Sequence, residues 1–366
     1  MGRLSCVLVL SALALWPRAC AADADPVGSL DAGAAAVEAA DSHQSVPDPE
    51  EQARRSREIS AALERFEDTI ATAESARGPF DPSLIEVLLD FARYQSELGQ
   101  HTAAVELYER ALAITRISHG LHSAQQGDVL PGLIDAHMAA QQWDLADDRA
   151  HLAFYLQKRL HAPDSPAYVA ALLQYGQFKQ QIVGNNRLSR STLASMRDIE
   201  ALQALYTEVL FPRAQDPAEG GQAPRPLEGR ERFELLHARA VTEFQLAQFA
   251  MRSTPLGLNR PVERYVSEFV CRDVVGQNGQ VVQQCGTVRR ENPAYREWEM
   301  QRQMYSDRIR YAVNSLDESV KAAQDVLAQN PALLSGDDAI PVTRMEDLLA
   351  LQQRAQRDYR RSRMDW

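Results

Sequence analysis

The chain has 366 residues, with 50 acidic and 39 basic side chains and a formal net charge of −11. This acidic excess argues against nucleic acid or an anionic membrane surface as the main partner, because both are bound through clustered cations. Apolar residues make up 45% of the chain, and its length is sufficient for two domains with buried cores.

Residues 1–21 have the pattern of a secretory signal peptide. Arg3 precedes an uncharged apolar run, and Ala19-Cys20-Ala21 supplies the small residues of a cleavage site. The run is too short to anchor the chain in a bilayer, and no later segment resembles a transmembrane span. We therefore predict an exported, periplasmic protein, with lipid anchoring at Cys20 as the alternative.

Residues 22–47 are rich in Ala, Asp and Ser and contain few large apolar residues, which predicts a disordered linker. The segment that follows, Asp48-Pro49-Glu50-Glu51, has the features of a helix start. An acidic N-cap, a proline at the first helical position and acids in the first turn all favour a helix N-terminus. We place the start of the folded chain here.

Between residues 48 and 210 the apolar pattern recurs with a period of 42 residues. Leu88, Leu130 and Leu172 are each 42 positions apart. A fixed period of this size predicts stacked helix pairs that share a continuous core. Gly99 supplies the turn of the first unit, and Gln141 stands at the equivalent position of the second.

The C-terminal third lacks this period. Residues 211–229 contain four prolines and three glycines, which predicts a linker between domains. Residues 230–366 predict a smaller helical domain that carries a β-hairpin at 262–290 and a long helix at 293–329. The predicted fold is mostly α, with a helical-repeat solenoid followed by this smaller domain.

The predicted hairpin contains two cysteines, and cleavage of residues 1–21 would leave these as the remaining pair. In an oxidising compartment an even count favours a disulfide. A two-residue turn at Asn278-Gly279 would place Cys271 opposite Gly286, with the two sulfurs on opposite faces. A three-residue loop with Gly279 in the left-handed conformation places Cys271 opposite Cys285 at a spacing that a disulfide spans. We predict the three-residue loop and the Cys271–Cys285 bond.

Two strands alone are rarely stable in water, so we expect the ribbon to pack on the C-terminal helices. The alternative is a projecting arm whose free strand edges pair with a partner strand.

The first repeat unit resembles a tetratricopeptide repeat. The resemblance rests on the small, turn and aromatic residues of one helix pair: Phe91-Ala92, Gly99, Ala104, Tyr108 and Ala111-Leu112. The small residues allow close approach of the two helices. The 42-residue period is similar to that of the longer subclass typified by kinesin light chain. Similar repeat proteins, mostly uncharacterised, are exported by Gram-negative bacteria.

The resemblance implies that the first helix of each unit lines a groove that binds an extended peptide. Carried over by position, the candidate groove residues are Glu86, Leu89, Arg93 and Glu97 in the first unit, Asp135 and Met138 in the second, and Gln177, Gln180 and Gln181 in the third. The alternative is that these residues form an ordinary solvated face.

The chain contains no G-x-S-x-G, P-loop, dinucleotide-binding or H-E-x-x-H motif. We expect no cofactor and no metal, and we predict a non-enzymatic adaptor that binds a protein or peptide of the cell envelope. One alternative is a structural protein that self-assembles into a homo-oligomer through the helix at 293–329. Another is an enzyme with its site in the C-terminal domain.

Overall fold

A computed structural model describes residues 49–212, 225–253, 258, 261–336 and 339–364. The predicted signal peptide, the predicted linker at 22–47 and most of the predicted linker at 211–229 lie outside these residues. The described residues form ten α-helices and one two-stranded antiparallel sheet, which confirms the mostly α fold.

Helix α1, Pro49–Arg77, precedes three helix pairs. The pairs are α2 (Leu84–Glu97) with α3 (His101–His119), α4 (Gln126–Ala139) with α5 (Trp143–Leu160), and α6 (Pro166–Gly184) with α7 (Thr192–Leu210). We call them units one, two and three. Helices α4 and α5 begin 42 residues after α2 and α3, which confirms the period. Helices α6 and α7 begin 40 and 49 residues after α4 and α5, so unit three departs from it.

Small side chains allow the helices of unit one to pack closely. Ala92 on α2 and Ala104 and Ala111 on α3 are completely buried. The ring of Phe66 on α1 stacks on Phe91 of α2, with 4.9 Å between the centroids. Helix α1 therefore covers the apolar face of α2 that would otherwise be open to solvent.

The turn between the helices of a unit requires a left-handed backbone. Gly99 has φ +75°, and Gln141, its equivalent in unit two, has φ +59°. Glycine adopts this region without steric cost, whereas a side chain with a Cβ is strained there.

The variant Gln141→Gly is therefore expected to raise the free energy of unfolding by about 0.5–1 kcal/mol. Urea denaturation followed by circular dichroism would measure the difference. Gly99→Gln is the matched control, and it should destabilise the protein by a similar amount. If Gln141→Gly were destabilising, the backbone strain inferred at this turn would be wrong.

The C-terminal helices are α8 (Gly229–Arg252), α9 (Pro293–Gln329) and α10 (Val342–Met364), with a short 3-10 helix at Pro331–Leu334. One buried apolar cluster runs from units two and three through α8, α9 and α10, and a second fills α1 to α4. The helices on either side of the predicted linker thus share a core. Within the described ranges, none of the helices combines the length and apolar character needed to cross a bilayer.

The hairpin consists of β1 (Tyr265–Val275) and β2 (Val281–Glu291). Cys271 pairs with Cys285 in the strand register, and a disulfide joins them. Gly276 N–H donates to the Gln280 carbonyl, and Gly279, with φ +73°, donates to the Gly276 carbonyl. This is the predicted three-residue loop with its left-handed glycine, so both the register and the disulfide are confirmed.

The expectation that the ribbon packs on the C-terminal helices is wrong. Every residue of β1 except Val270 is exposed, and in β2 only Val288 and Glu291 are partly covered. Phe269 is 70% exposed, and Val275 and Val281 are 68% and 66% exposed. The disulfide compensates for the missing packing, because in the chain-entropy model closing a 15-residue loop contributes about 3 kcal/mol. The hairpin is therefore a projecting arm.

Candidate protein-interaction surface

Three of the predicted groove residues lie on the first helices of the three units, one on each. Arg93, Asp135 and Gln177 are 42 positions apart, lie on α2, α4 and α6, and are all exposed. Four other predicted positions lie beside them on the first helices. Of these, Glu86, Glu97 and Gln181 are exposed, and Met138 is partly buried. Each of the first helices therefore carries an exposed polar side chain, and these side chains are 42 residues apart in the sequence.

Tyr108 on α3 is close enough to Arg93 and Asp135 for both charges to affect its pKa. Its ring packs against the backbone of α4 at Gly132, where an added Cβ would overlap the ring. Burial raises the pKa of Tyr108, the positive charge of Arg93 lowers it, and the negative charge of Asp135 raises it. Arg93 and Asp135, on different units, thus act on the same buried tyrosine.

The side chains of three predicted groove residues contact other parts of the protein. Leu89 is 9% exposed and belongs to the core of α1 to α4. Met138 packs against the second core cluster. Gln180 donates from Nε2 to the Ala238 carbonyl and to Thr242 Oγ1 of α8, each at 2.8 Å. These side chains hold helices together and are not available to a partner.

Partly buried polar contacts join units one and two, and the sequence did not reveal them. Arg149 on α5 donates from Nε and a terminal nitrogen to Glu109 Oε1 of α3, at 2.9 and 2.7 Å. His137 of α4, which is 1% exposed, places Nε2 3.6 Å from the same oxygen. Its Nδ1 lies 2.8 Å from Gln142 Oε1. Glu109 on the second helix of unit one therefore contacts both helices of unit two.

A denser network joins units two and three. Lys179 Nζ on α6 donates to both carboxylate oxygens of Asp147 on α5, at 2.8 and 3.1 Å, and both residues are 6% exposed. Arg190, in the loop before α7, lies 3.1 Å from Asp147 and 2.8 Å from Asp198 of α7. Asp147 is buried within this network, whereas its neighbour Asp148 is exposed.

Tyr175 on α6 lies beside this network. Its ring stacks on Phe154 of α5, with 4.7 Å between centroids. Burial raises the pKa of Tyr175, and the charges of Asp147 and Asp198 raise it further, against an opposing effect of Arg190. The phenol stays neutral, so this site has the character of a structural junction.

The C-terminal helices enclose a fully buried carboxylate. Glu243 on α8 is 0% exposed, and its Oε1 lies 2.9 Å from Arg239 Nε. The carboxylate also accepts from Ser315 and Ser319 of α9, at 2.7 Å for Ser319, and from Gln203 of α7 at 3.1 Å. Burial raises the pKa of Glu243, and these partners lower it. Because no substrate reaches a fully buried group, we assign Glu243 to helix packing. In the ranges the structure describes, no group of His, Cys, Asp or Glu side chains could hold a metal ion.

A match to one family profile agrees with the repeat architecture. A sequence profile of the tetratricopeptide repeat family matches residues 53–117. A search of curated proteins gives no match. Among solved structures, BtubC (BKLC) from P. vanneervenii is similar at 15% identity and a TM-score of 0.35, covering 54% of this chain and 69% of that one.

Two structures of a putative kinesin light chain with nearly identical TPR-like repeats, from Podosopora anserina, are also similar. One of them, a single-residue variant, is 15% identical with a TM-score of 0.28, and it covers 75% of this chain and 98% of that one. The other is 13% identical with the same TM-score, and it covers 75% and 96%.

Proposed function

Because residues 53–117 belong to the tetratricopeptide repeat family, we propose that this protein is an exported scaffold that binds a partner of the cell envelope. The partner lies along the exposed face of α2, α4 and α6 as an extended peptide segment. The observation that carries the proposal is the set of Arg93, Asp135 and Gln177, which are 42 residues apart, lie on successive first helices and are exposed to solvent. We call this set the row.

The chemistry of the row indicates what kind of segment it binds. Arg93 and Asp135 carry opposite charges, and Gln177 has both a donor and an acceptor. An extended chain laid across the units meets a cation, an anion and an amide in turn. Such a row selects a peptide of complementary charge order, and surface charges of this kind contribute mainly to specificity and association rate.

The disulfide supports the proposal of export. Disulfides persist in oxidising compartments and are rare where thiols are kept reduced. The Cys271–Cys285 bond is well exposed, and it staples an arm that lacks a core of its own. A signal peptide at residues 1–21 would deliver the chain to such a compartment.

Two measurements test the proposal. The cells that produce the chain are fractionated to locate it, and the purified chain is then used to capture a partner from an envelope extract. The chain is expected in the periplasmic fraction, with the mass lowered by loss of residues 1–21. The variant Arg93→Glu/Asp135→Arg reverses two charges of the row without changing the net charge. It is expected to lose the partner that the wild type captures, as measured by quantitative mass spectrometry.

Glu106→Arg/Lys158→Glu is the matched control. It reverses two exposed charges on the second helices α3 and α5, also without a net change, and it should retain the partner. Equal loss with both variants would mean that charge reversal acts non-specifically. If the row variant still captured the partner, the first helices would not be the binding surface.

Self-assembly through α9 is a second candidate, and one observation favours it. Met300, Met304 and Tyr311, spaced by four and seven residues along α9, are 66%, 59% and 65% exposed. This spacing places them near one side of the helix as an apolar stripe. A stable oligomer that Met304→Glu dissociates would support this candidate.

A further inference from the structure

The outer edge of β1 has no partner among the described residues. Gly276 and Gln280 form a hydrogen-bonded pair, so by alternation Cys271 and Cys285 form a non-hydrogen-bonded pair. Their Cα atoms lie 4.0 Å apart, as this alternation requires. The odd-numbered residues of β1 therefore direct their N–H and C=O groups away from β2. An edge of this kind is a template for another strand.

The side chains along β1 are arranged symmetrically about Val270. Glu268 and Arg272 lie two residues on either side of it, and Val266 and Val274 lie four residues away. When two β1 strands run antiparallel about Val270, Glu268 of each copy faces Arg272 of the other. In the same register Val266 faces Val274, on the same side of the sheet as the two charge pairs.

The opposite side of that four-stranded sheet is also matched. Tyr265 of one copy faces Val275 of the other, and Phe269 faces Cys271, on the disulfide side. Pairs of aromatic and β-branched side chains, and of opposite charges, stabilise neighbouring strands. Odd-numbered residues then face odd-numbered residues, so the outward N–H and C=O groups form the ladder between the copies.

Competing arrangements are less favourable. A parallel, in-register pair of β1 strands would place Glu268 against Glu268 and Arg272 against Arg272, and like charges directly opposite are destabilising. Antiparallel pairing of β2 about Gly286 would place Val282 opposite Arg290 and Val281 opposite Glu291, which matches neither charge nor shape. A shift of β1 pairing to a centre at Phe269 or Cys271 separates Glu268 from Arg272.

We propose that β1 of this protein pairs antiparallel with β1 of a second copy, about Val270, to form a disulfide-flanked four-stranded sheet in a twofold dimer. The charges of β1 are Glu268, Arg272 and Asp273, and Asp273 faces Ser267 of the second copy. Arg290 of β2 lies 3.1 Å from Glu268 within one copy. In the dimer Glu268 lies between its own Arg290 and Arg272 of the second copy. The proposal is independent of the peptide-binding row.

The test is sedimentation velocity of the disulfide-bonded chain over a range of concentrations. The wild type is expected to dimerise. Glu268→Arg and Arg272→Glu, each alone, place like charges opposite each other twice and are expected to weaken the dimer at least tenfold. An equimolar mixture of the two variants is expected to dimerise, because position 268 of each variant then faces a charge of opposite sign at position 272 of the other.

Recovery in the mixture requires that position 268 faces position 272 of the other copy, so it reports the register itself. Gln283→Lys, on the outer edge of β2, is the control and should leave the dimer unchanged. A monomeric wild type would overturn the proposal. A dimer that both charge variants leave intact, or that Met304→Glu alone dissociates, would also overturn it and would place the interface elsewhere.

Discussion

The variant Arg239→Met is expected to lower the free energy of unfolding by about 3–5 kcal/mol, because it leaves a buried carboxylate without its cation. Glu243 is completely buried, and Arg239 is 8% exposed. The serine and glutamine donors around Glu243 remain in the variant, but they carry no charge. The helices α7, α8 and α9 meet at this carboxylate, so the loss should appear in the unfolding of the C-terminal core.

The destabilisation caused by Arg239→Met is expected to be larger at neutral pH than at acidic pH. Burial already raises the pKa of Glu243 above its ordinary value, and Arg239 is the largest influence that lowers it. Removing Arg239 therefore raises the pKa further. A carboxyl whose pKa is higher in the folded state than in the unfolded state contributes stability below the unfolded value, near 4.3, and this contribution is lost as pH rises through the folded value. The variant should be most destabilised, relative to the wild type, at neutral pH and least near pH 4.

Urea denaturation at pH 4.5 and pH 7.5, followed by circular dichroism, would measure both effects. The double variant Arg239→Met/Glu243→Leu is the control, since apolar replacement of both partners of a buried pair is often neutral or stabilising. It should recover most of the lost stability. If the double variant were as unstable as the single one, lost packing of the Arg239 side chain would be the cause.

The sequence predicted the parts of the fold that depend on neighbouring residues. The burial of Ala92, Ala104 and Ala111 follows from helix periodicity, and the Cys271–Cys285 register follows from the left-handed Gly279 in the loop. The burial of these alanines and the register of the cysteines are each determined by residues that are close in the sequence. The exposure of the hairpin was not predictable in this way, because it depends on where α9 and the segment before β1 place the two strands.

The periodic pattern also includes buried side chains that can carry charge. Asp147 and Asp148 look alike in the sequence, yet one is buried and the other exposed. His137 and Lys179 are 42 positions apart, and each lies beside an acid on the second helix of the preceding unit. A side chain able to carry positive charge, recurring at a buried position of the repeat, was the signal for these contacts.

Asp147→Leu is expected to lower the free energy of unfolding by about 3 kcal/mol, because it leaves the buried ammonium of Lys179 without its carboxylate. The next acid, Asp198, lies 3.9 Å from Lys179 Nζ and is already paired with Arg190 at 2.8 Å. This partial substitute keeps the expected loss at the lower end of the range for broken buried pairs. The loss should fall on the junction between units two and three.

The variant Asp198→Leu tests whether burial or the number of contacts decides how much an acid of this network contributes to stability. Asp198 shares the same arginine, but its side chain is 28% exposed, against 8% for Asp147. Water can therefore solvate the cations that lose Asp198 as a partner. The free energy of unfolding is expected to fall by about 1 kcal/mol or less. Asp147→Leu/Lys179→Met should recover most of the stability that Asp147→Leu loses, as measured by urea denaturation at pH 7. Equal losses for Asp147→Leu and Asp198→Leu would show that burial does not decide the strength of this network, and that the junction is held by apolar contacts such as Phe154 on Tyr175.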